Sequence, residues 1–560
     1  MVEAISNAAM PELPPHYYRD NFLALCDTVE AQYTDLLSET ERQHLATFRQ
    51  LSFDSQCLYI RLISRVGPWF RESKLSYPEL GDIALCIDEL LARRMVEQAR
   101  ALSIDEIAGL YTSTELKTAF VDELEGASSQ NKRELMESIE SLGRRKVKRI
   151  VRKLDASRII APCGLLEVEL YQLLFFGNRG QSLTDFVLSE LGIARYYPYR
   201  LDRKTRLFET RESLEEYIAC GELSDVFYEL RESGQVDLLP ALAEQVLELE
   251  TDYDSSKRRL HRLCNLLARD LERVDQLVLA DKLYTLSDRH PARERRLRIM
   301  ERQQQWSKAE QLAHDILDSP WCEEERDAAE RILPRVLRKL GAKVASRPRD
   351  SFQRLDLRIK PGELCVEQLT ALHLLDDWKQ VHYVENSLMN TLFGLAFWDE
   401  IFHPIPGAFN NPFQSVPNDM YSAEFRRCRH DLIRKRLRQL RQRGAAKCLA
   451  EALNNYANYQ CRWVDWRCID AKLLNDVTRC IPDENLLSIW ERILFDPGEN
   501  RRGFPDLLAL GNGPGDYCLI EVKGPGDALQ ESQKRWLRFF DKQAIPAAVA
   551  WVQWQEANAN

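Results

Sequence analysis

The 560-residue sequence predicts a multidomain, mostly α-helical protein with a C-terminal α/β domain. Three observations lead to this fold class. The chain is too long to fold around one hydrophobic core. Apolar residues recur at helical spacing from about residue 17 to residue 342. After Pro348, glycine, proline and aromatic residues become frequent, as at Gly511–Gly515, and this composition indicates strands joined by tight turns.

The composition excludes several classes of protein. Hydrophobic residues make up 44% and charged residues 29%, as in ordinary globular proteins. No apolar run is long enough to cross a bilayer, and residues 1–15 lack the pattern of a secretory signal, so a cytoplasmic location is expected. The 14 cysteines include no C-x-x-C pair. Even the closest two, Cys461 and Cys468, are therefore interpreted as reduced thiols and not as zinc ligands.

Two helical domains are predicted in the first 165 residues, over 1–100 and 101–165. In the second, Thr112 caps a helix that runs to Leu124, Gly126 breaks it, and another helix covers 131–139. A basic segment follows, formed by Arg144, Arg145, Lys146, Lys148, Arg149, Arg152 and Lys153. This order resembles a SAP-type DNA-binding module; the alternative is an ordinary helical hairpin.

Residues 166–345 form the third predicted domain, a run of successive helices such as 214–230, 238–249 and 258–271. Each helix has one apolar face that only its neighbours can cover, as in an α-solenoid. The segment therefore resembles a tetratricopeptide-like (TPR-like) array, with an irregular helical bundle as the alternative. The fourth domain covers 346–560.

The net charge of −10 does not exclude nucleic acid as a partner, because association depends on local fields. The segment at 144–153 is one basic cluster, and a second lies within 426–443. In that second cluster Arg434, Arg438 and Arg441 share one face of a predicted helix. Such a face either contacts phosphates or is simply solvated.

The pattern that indicates chemistry begins at Pro505-Asp506 and continues, after a glycine-rich turn, in the strand 517–523. Side chains alternate along a strand, so Glu521 and Lys523 point to the same face as Leu519. The other face carries only Cys518, Ile520 and Val522. A strand this apolar should be central in its sheet, and two charged side chains there require a functional reason.

A divalent metal would supply that reason. Mg²⁺ and Mn²⁺ prefer carboxylate and carbonyl oxygens, which Asp506, Glu521 and the carbonyl of Val522 provide. The ion would activate water against a phosphodiester, and Lys523 would position that water or offset phosphate charge. Glu385, at the edge of a predicted helical stripe that runs from Val381 to Leu395, is a further candidate ligand; alone it would be a solvated helix residue.

The sequence contains P-D at 505–506, a turn, E-V-K at 521–523 and then a helix with Gln533 and Trp536. Together these features resemble the VRR-NUC nucleases of the PD-(D/E)XK superfamily. Further segments resemble the Fanconi-anaemia-associated nuclease family in its bacterial form: Glu385–Leu388, Leu392–Gly394, Phe397–Asp399, Pro406–Phe409 and Asn411–Gln414. The resemblance covers most of the chain. It implies a restriction-endonuclease-like C-terminal domain, with Glu385, Asp506, Glu521 and the Val522 carbonyl as ligands of Mg²⁺ or Mn²⁺.

The resemblance also implies an activity: cleavage of 5′ flaps with 5′-to-3′ trimming, in interstrand cross-link repair. The partner would be branched or flapped double-stranded DNA in the cytosol or nucleoid, without any membrane. Lys523 corresponds to the catalytic lysine, and Gln533 to a supporting residue. The ubiquitin-binding zinc finger of the eukaryotic relatives has no counterpart in this sequence. The alternatives are a Holliday-junction resolvase-like enzyme and a non-catalytic DNA-binding scaffold.

Overall fold

The computed structural model describes residues 15–99, 102–124, 129–181, 195–345 and 350–555. The chain divides into two compact units, residues 1–194 and 195–560. Within the described ranges, no helix is both long and apolar enough to span a bilayer.

The first unit begins with four helices and a small sheet. The helices are α1 Tyr17–Tyr33, α2 Glu39–Arg49, α3 Phe53–Ile63 and α4 Ile83–Ala92. The strands are β1 Phe70–Arg71, β2 Val96–Gln98 and β3 Ile159–Pro162, antiparallel in the order β1-β3-β2. The region predicted as a helical domain, 1–100, thus also contains two short strands, β1 and β2. Arg94 has a φ of 55°, which ends the helix and turns Val96 into a strand.

Four further helices pack around their own core in the same unit: α5 Ile104–Leu110, α6 Ser113–Ala119, α7 Lys132–Ser141 and α8 Arg144–Leu154. Thr112 and Asn131 cap α6 and α7 in capping boxes with Glu115 and Glu134. Helix α6 ends at Ala119 and not at Leu124 as predicted. The predicted break at Gly126 lies outside the described residues. After β3 comes α9 Leu165–Phe176, which packs on α1.

The second unit opens with seven consecutive helices, each packed against its neighbours in the chain. They are α10 Arg211–Glu232, α11 Leu239–Glu248, α12 Asp254–Arg273, α13 Leu277–Leu286, α14 Ala292–Arg302, α15 Trp306–Asp318 and α16 Glu323–Lys339. Their apolar faces form two adjoining buried clusters. The packing of each helix against the next is what the repeated one-sided apolar pattern predicts.

A five-stranded mixed sheet follows, built from β5 Arg354–Ile359, β6 Gln380–Tyr383, β8 Leu507–Leu510, β9 Tyr517–Lys523 and β10 Ala547–Trp554. Their order is β5-β10-β9-β8-β6. Strand β10 is parallel to both β5 and β9, whereas β8 is antiparallel to β9 and β6. Two short strands, β4 Arg195–Tyr196 and β7 Tyr459–Gln460, pair elsewhere in this unit. Strand β9 is therefore central, as its apolar sequence predicts.

Helices cover both faces of the sheet. On one face, α17 Val366–Leu374 packs over Ile520 and Val522. On the other face, Leu508, Leu519 and Trp536 join a large apolar core. The remaining helices of this unit are α18 Ser387–Ala396, α19 Trp398–Ile401, α20 Ala423–Cys428, α21 His430–Arg443, α22 Ala445–Asn455, α23 Ala471–Cys480, α24 Asp483–Phe495, α25 Pro497–Asn500 and α26 Glu531–Lys542. The alternation predicted for 517–523 is confirmed, since Leu519 and Ile520 belong to different cores.

Candidate active site

Asp506 lies where three segments of the chain meet. It precedes β8, and its carboxylate Oδ2 accepts a hydrogen bond of 2.9 Å from the backbone amide of Val522 on β9. Its carbonyl accepts from the amides of Val384 and Glu385, at 2.8 Å and 3.1 Å. The Asn386 side chain accepts from the amide of Phe504 at 3.0 Å and binds the segment before Asp506 to the start of α18. Asp506 is thus held by backbone contacts on both sides.

Glu385 lies between β6 and α18 and not on a helix, so the predicted stripe from Val381 to Leu395 is wrong over its first part. Val381 belongs to β6, and α18 begins only at Ser387. Asn386 has a φ of 46°, a left-handed conformation that separates the strand from the helix. The exposed carboxylate of Glu385 accepts a hydrogen bond of 2.6 Å from the hydroxyl of Tyr383.

Glu521 and Lys523 form a buried ion pair on β9. Only 1% of Glu521 and 8% of Lys523 is exposed, and Lys523 Nζ lies 2.8 Å from Glu521 Oε1. The same oxygen accepts a hydrogen bond of 2.5 Å from Gln533 Nε2 on α26. Gln533 Oε1 in turn accepts from the amide of Gln530, so the capping box of this helix also orients Gln533. The structure thus brings Glu521, Lys523 and Gln533 into direct contact.

The electrostatics around half-buried Asp506 and buried Glu521 oppose simultaneous ionisation of the two carboxylates. Burial raises the pKa of Asp506, while the Val522 amide and Lys523 lower it. Burial, followed by the nearby charge of Asp506, raises the pKa of Glu521 to about 8, against the lowering effect of Lys523. Two carboxylates held this close repel each other once both are ionised. A divalent cation between them would remove that repulsion.

The donor set fits a hard divalent ion, because Asp506 and Glu521 offer carboxylate oxygens on neighbouring strands. In the described part of the chain, no three His, Cys, Asp or Glu side chains come close enough to hold a metal ion. The carboxylate of Glu385 is hydrogen-bonded to Tyr383 and does not form a three-acid group with Asp506 and Glu521. Asp506 and Glu521 are therefore the two acids already in place.

Two residues near the site were not predicted from the sequence. Glu367 lies in the first turn of α17, and its charge raises the pKa of both Asp506 and Tyr383. Tyr383 ends β6, opposite Leu507, the residue after Asp506. An acid in the first turn of a helix and a tyrosine at the end of a strand are too common to single out. The pairing of β6 with β8 places Tyr383 near Asp506, and the packing of α17 on the sheet places Glu367 there.

The predicted DNA-binding residues lie on two exposed helical faces. On α8, the valines and the isoleucine at 147, 150 and 151 are buried, while all the basic residues except Lys146 are exposed. Lys146 pairs with Glu123. A depression of about 410 Å³ on this face is lined by Arg145, Lys148, Arg149, Arg152 and Lys153. Arg144 is exposed in the first turn of the helix.

On α21, Arg434 and Arg438 are exposed on the side opposite the buried Ile433 and Leu440. Arg441 is also at the surface, where it pairs with Glu491 at 2.8 Å.

The fold and the site together define a class of protein. A central strand with E-x-K pairs with a neighbouring strand that follows directly on P-D, and the next helix carries a glutamine that binds the glutamate. That arrangement is the core of the PD-(D/E)XK nucleases. The family model described as "VRR-NUC domain" matches residues 441–554, and the one described as "FAN1, HTH domain" matches residues 16–97.

Whole-chain comparisons identify the family. The Fanconi-associated nuclease 1 homolog of Pseudomonas aeruginosa is 34% identical over 562 residues, which cover 98% of each chain. The homolog of Oryza sativa is 25% identical over 95% of this chain and 62% of its own length. The crystal structure of paFAN1 bound to 2nt 5′-flap DNA with gap has a TM-score of 0.78 and 33% identity, and the match covers 98% of this chain and 100% of that one. This chain belongs to the Fanconi-associated nuclease family, and it is a metal-dependent DNA nuclease. The predicted family, fold class and enzyme class are confirmed.

Proposed function

We propose that this nuclease uses Mg²⁺ or Mn²⁺ to cleave 5′-flapped DNA and to trim 5′ ends, in the repair of interstrand cross-links within the bacterial cytosol. The observation that carries the proposal is the hydrogen bond from β9 to half-buried Asp506, which directly precedes β8, beside the buried ion pair of Glu521 and Lys523 on β9. The related paFAN1 has been crystallised with 5′-flap DNA carrying flaps of one and two nucleotides, which supports the choice of substrate.

Asp506, Glu521, the Val522 carbonyl and Glu385 would hold the ion. When bound, a divalent ion polarises the scissile phosphate and makes water a better nucleophile at neutral pH. Lys523 is already oriented by Glu521, so its ammonium orients the attacking water or offsets charge on the phosphate. Gln533 fixes the rotamer of Glu521 through its 2.5 Å hydrogen bond. Burial of Glu521 and Lys523 strengthens the contacts of Glu521 with Lys523 and with Gln533.

DNA would be bound by the two basic faces, through phosphates and without base readout. The residues assigned to these contacts are Arg144, Arg145, Lys148, Arg149 and Arg152 on α8, and Arg434, Arg438 and Arg441 on α21. We propose four domains: an N-terminal helical domain (1–100), a SAP-like module (101–165), a helical repeat region (166–345) and the nuclease domain (346–560).

Cleavage of a labelled 5′-flap duplex with Mg²⁺ or Mn²⁺ tests the proposal, with EDTA as the metal control. The wild-type protein and Glu531→Gln should cut, because Glu531 is an exposed acid on α26 that pairs with Lys534. Asp506→Asn should bind the same DNA without cutting it. Binding without cleavage by the wild type would instead favour the scaffold interpretation. A preference for four-way junctions over flaps would favour a resolvase-like enzyme.

A further inference from the structure

Among the three proposed carboxylate ligands, Glu385 is the one whose side chain lies apart from the other two, Asp506 and Glu521. Its carboxylate Oε2 is held at 2.6 Å by the hydroxyl of Tyr383, two residues earlier. Both side chains are at the surface, and 45% of Tyr383 is exposed. In this state a third carboxylate is near the site but is bound to another partner.

The backbone of Glu385 is nevertheless fixed beside Asp506. Its amide and that of Val384 donate to the Asp506 carbonyl at 3.1 Å and 2.8 Å. The Asn386 side chain accepts from the Phe504 amide, so the chain cannot shift on either side of Glu385 without breaking these bonds. Rotation about the side-chain bonds of Glu385 is therefore the motion that brings its carboxylate to the Asp506–Glu521 pair.

We propose that Tyr383 is a positioning residue that retains Glu385 away from the metal-binding acids until a divalent cation binds. The inference rests on the proposed function, because it assumes that Asp506 and Glu521 hold the ion. Binding of the cation then requires that the hydrogen bond between Tyr383 and Glu385 be broken. That requirement stabilises the metal-free state and lowers the apparent affinity for metal.

Retention of Glu385 has an electrostatic reason. Asp506 and Glu521 repel each other whenever both are ionised, and the charges of Glu367 and of Glu385 itself also act on Asp506. A third carboxylate moved into this field without a cation would add to the repulsion. A tyrosine hydroxyl is protonated at neutral pH and can donate to Glu385 without adding charge. The tyrosine thus keeps the third ligand close at a low electrostatic cost.

Mn²⁺ binding to the full chain without DNA, measured by calorimetry or by the EPR signal of free Mn²⁺, tests the proposal. Tyr383→Phe should bind Mn²⁺ about threefold to thirtyfold more tightly than wild type, since a hydrogen bond to a charged group opposes binding only in the wild type. Tyr383→Leu should change the affinity in the same direction. Tyr456→Phe is the matched control, because Tyr456 also donates to an acid, Asp399, in the same unit.

A double-mutant cycle separates retention from other roles of the ring. In a Glu385→Gln background, Tyr383→Phe should change the Mn²⁺ affinity no more than Tyr456→Phe does, because the retained carboxylate is gone. Weaker binding by Tyr383→Phe would show that Tyr383 orients Glu385 in the metal-bound state, and this would overturn the proposal. An unchanged affinity would overturn it equally. Absence of Mn²⁺ binding by the wild type would instead refute the proposed function on which the inference rests.

Discussion

Strand β9 and helix α8 both carry cationic side chains for which we propose roles on DNA, but they hold them in opposite environments. Lys523 is buried and paired with Glu521 at 2.8 Å, beside a second acid. The basic residues of α8 other than Lys146 are exposed, and Lys146 is half-buried and pairs with Glu123. The energy of a buried charge depends strongly on each neighbouring group, whereas solvated charges are screened and act nearly independently. Loss of one group should therefore be severe on β9 and mild on α8.

The largest effect should come from Lys523→Met. Removal of the ammonium leaves Glu521 without its ion-pair partner and removes the cation proposed to act on the phosphate, so kcat should fall about 10²- to 10³-fold. Single-turnover cleavage of flap DNA measures this loss. Lys534→Met, which removes a half-buried lysine paired with exposed Glu531, is the control and should cut normally. A loss of less than tenfold for Lys523→Met would show that burial does not make this charge critical.

The second prediction concerns pH. Because burial and the charge of Asp506 raise the pKa of Glu521 to about 8, binding of a metal ion below that pH competes with a proton for this carboxylate. Mn²⁺ affinity should therefore rise about tenfold per pH unit up to about pH 8 and then level off. Titrations at pH 6, 7 and 8 measure this slope. A flat profile over that range would contradict the raised pKa.

The same shift predicts the pH dependence of folding. The pKa of Glu521 is higher in the folded protein, about 8, than its ordinary value of 4.5. Its stabilising contribution is thus complete below pH 4.5 and is lost as pH rises to about 8. In EDTA, the melting temperature of wild type should fall relative to that of Glu521→Gln across this window. Melting temperatures of the two proteins that change in parallel between pH 4.5 and pH 8 would contradict the raised pKa of Glu521.

A smaller effect is expected on α8. Replacement of Arg145, Arg149 and Arg152 by glutamine should weaken DNA binding and reduce the slope of log K against log salt by up to about 0.9 per residue. Binding of Asp506→Asn protein to flap DNA at several salt concentrations measures both quantities. Lys132→Gln on the neighbouring α7 is the control. An unchanged salt slope in the triple variant would show that this basic face is merely solvated.

The smallest predicted effect is structural. Asn131 Oδ1 accepts hydrogen bonds of 3.0 Å from the amides of Arg133 and Glu134 at the start of α7. Asn131→Ala should lower the free energy of unfolding of the helices α5 to α8 by about 1 kcal/mol. Asn131→Ser should lower it much less, because serine can also cap the helix. Urea denaturation compares the two variants. Equal stability of both would mean that the cap does not support the helical framework of α8.

The difference between β9 and α8 also explains what could be predicted from the sequence. Alternation along 517–523 is a local pattern, and it places Glu521 and Lys523 on one face without any knowledge of the fold. Residues 144–153 were predicted only as a basic segment, and the structure shows that they lie on a helix whose buried Val147, Ile150 and Val151 recur at helical spacing. Local periodicity was sufficient to predict the alternation along β9.

Local periodicity failed where a strand runs into a helix. The apolar positions from Val381 to Leu395 keep helical spacing, yet the positive φ of Asn386 divides them. Nor could the sequence place Tyr383 or Glu367 near Asp506. Their proximity depends on the pairing of β6 with β8 and on the packing of α17, which join residues more than 120 positions apart (for example 383 and 507). Contacts of this kind are set by tertiary structure alone.

The position of β10 bears on the stage of synthesis at which the chain acquires nuclease activity. This strand pairs with β9 on one side and with β5 on the other, and it is synthesised after every residue of the site. A nascent chain that has not yet released β10 from the ribosome leaves one edge of β9 open and β5 without a partner. Since a domain folds as a unit once its chain is complete, we expect cutting activity to arise only after translation of this strand. Incomplete chains of this nuclease should therefore spare the genome that the finished enzyme repairs.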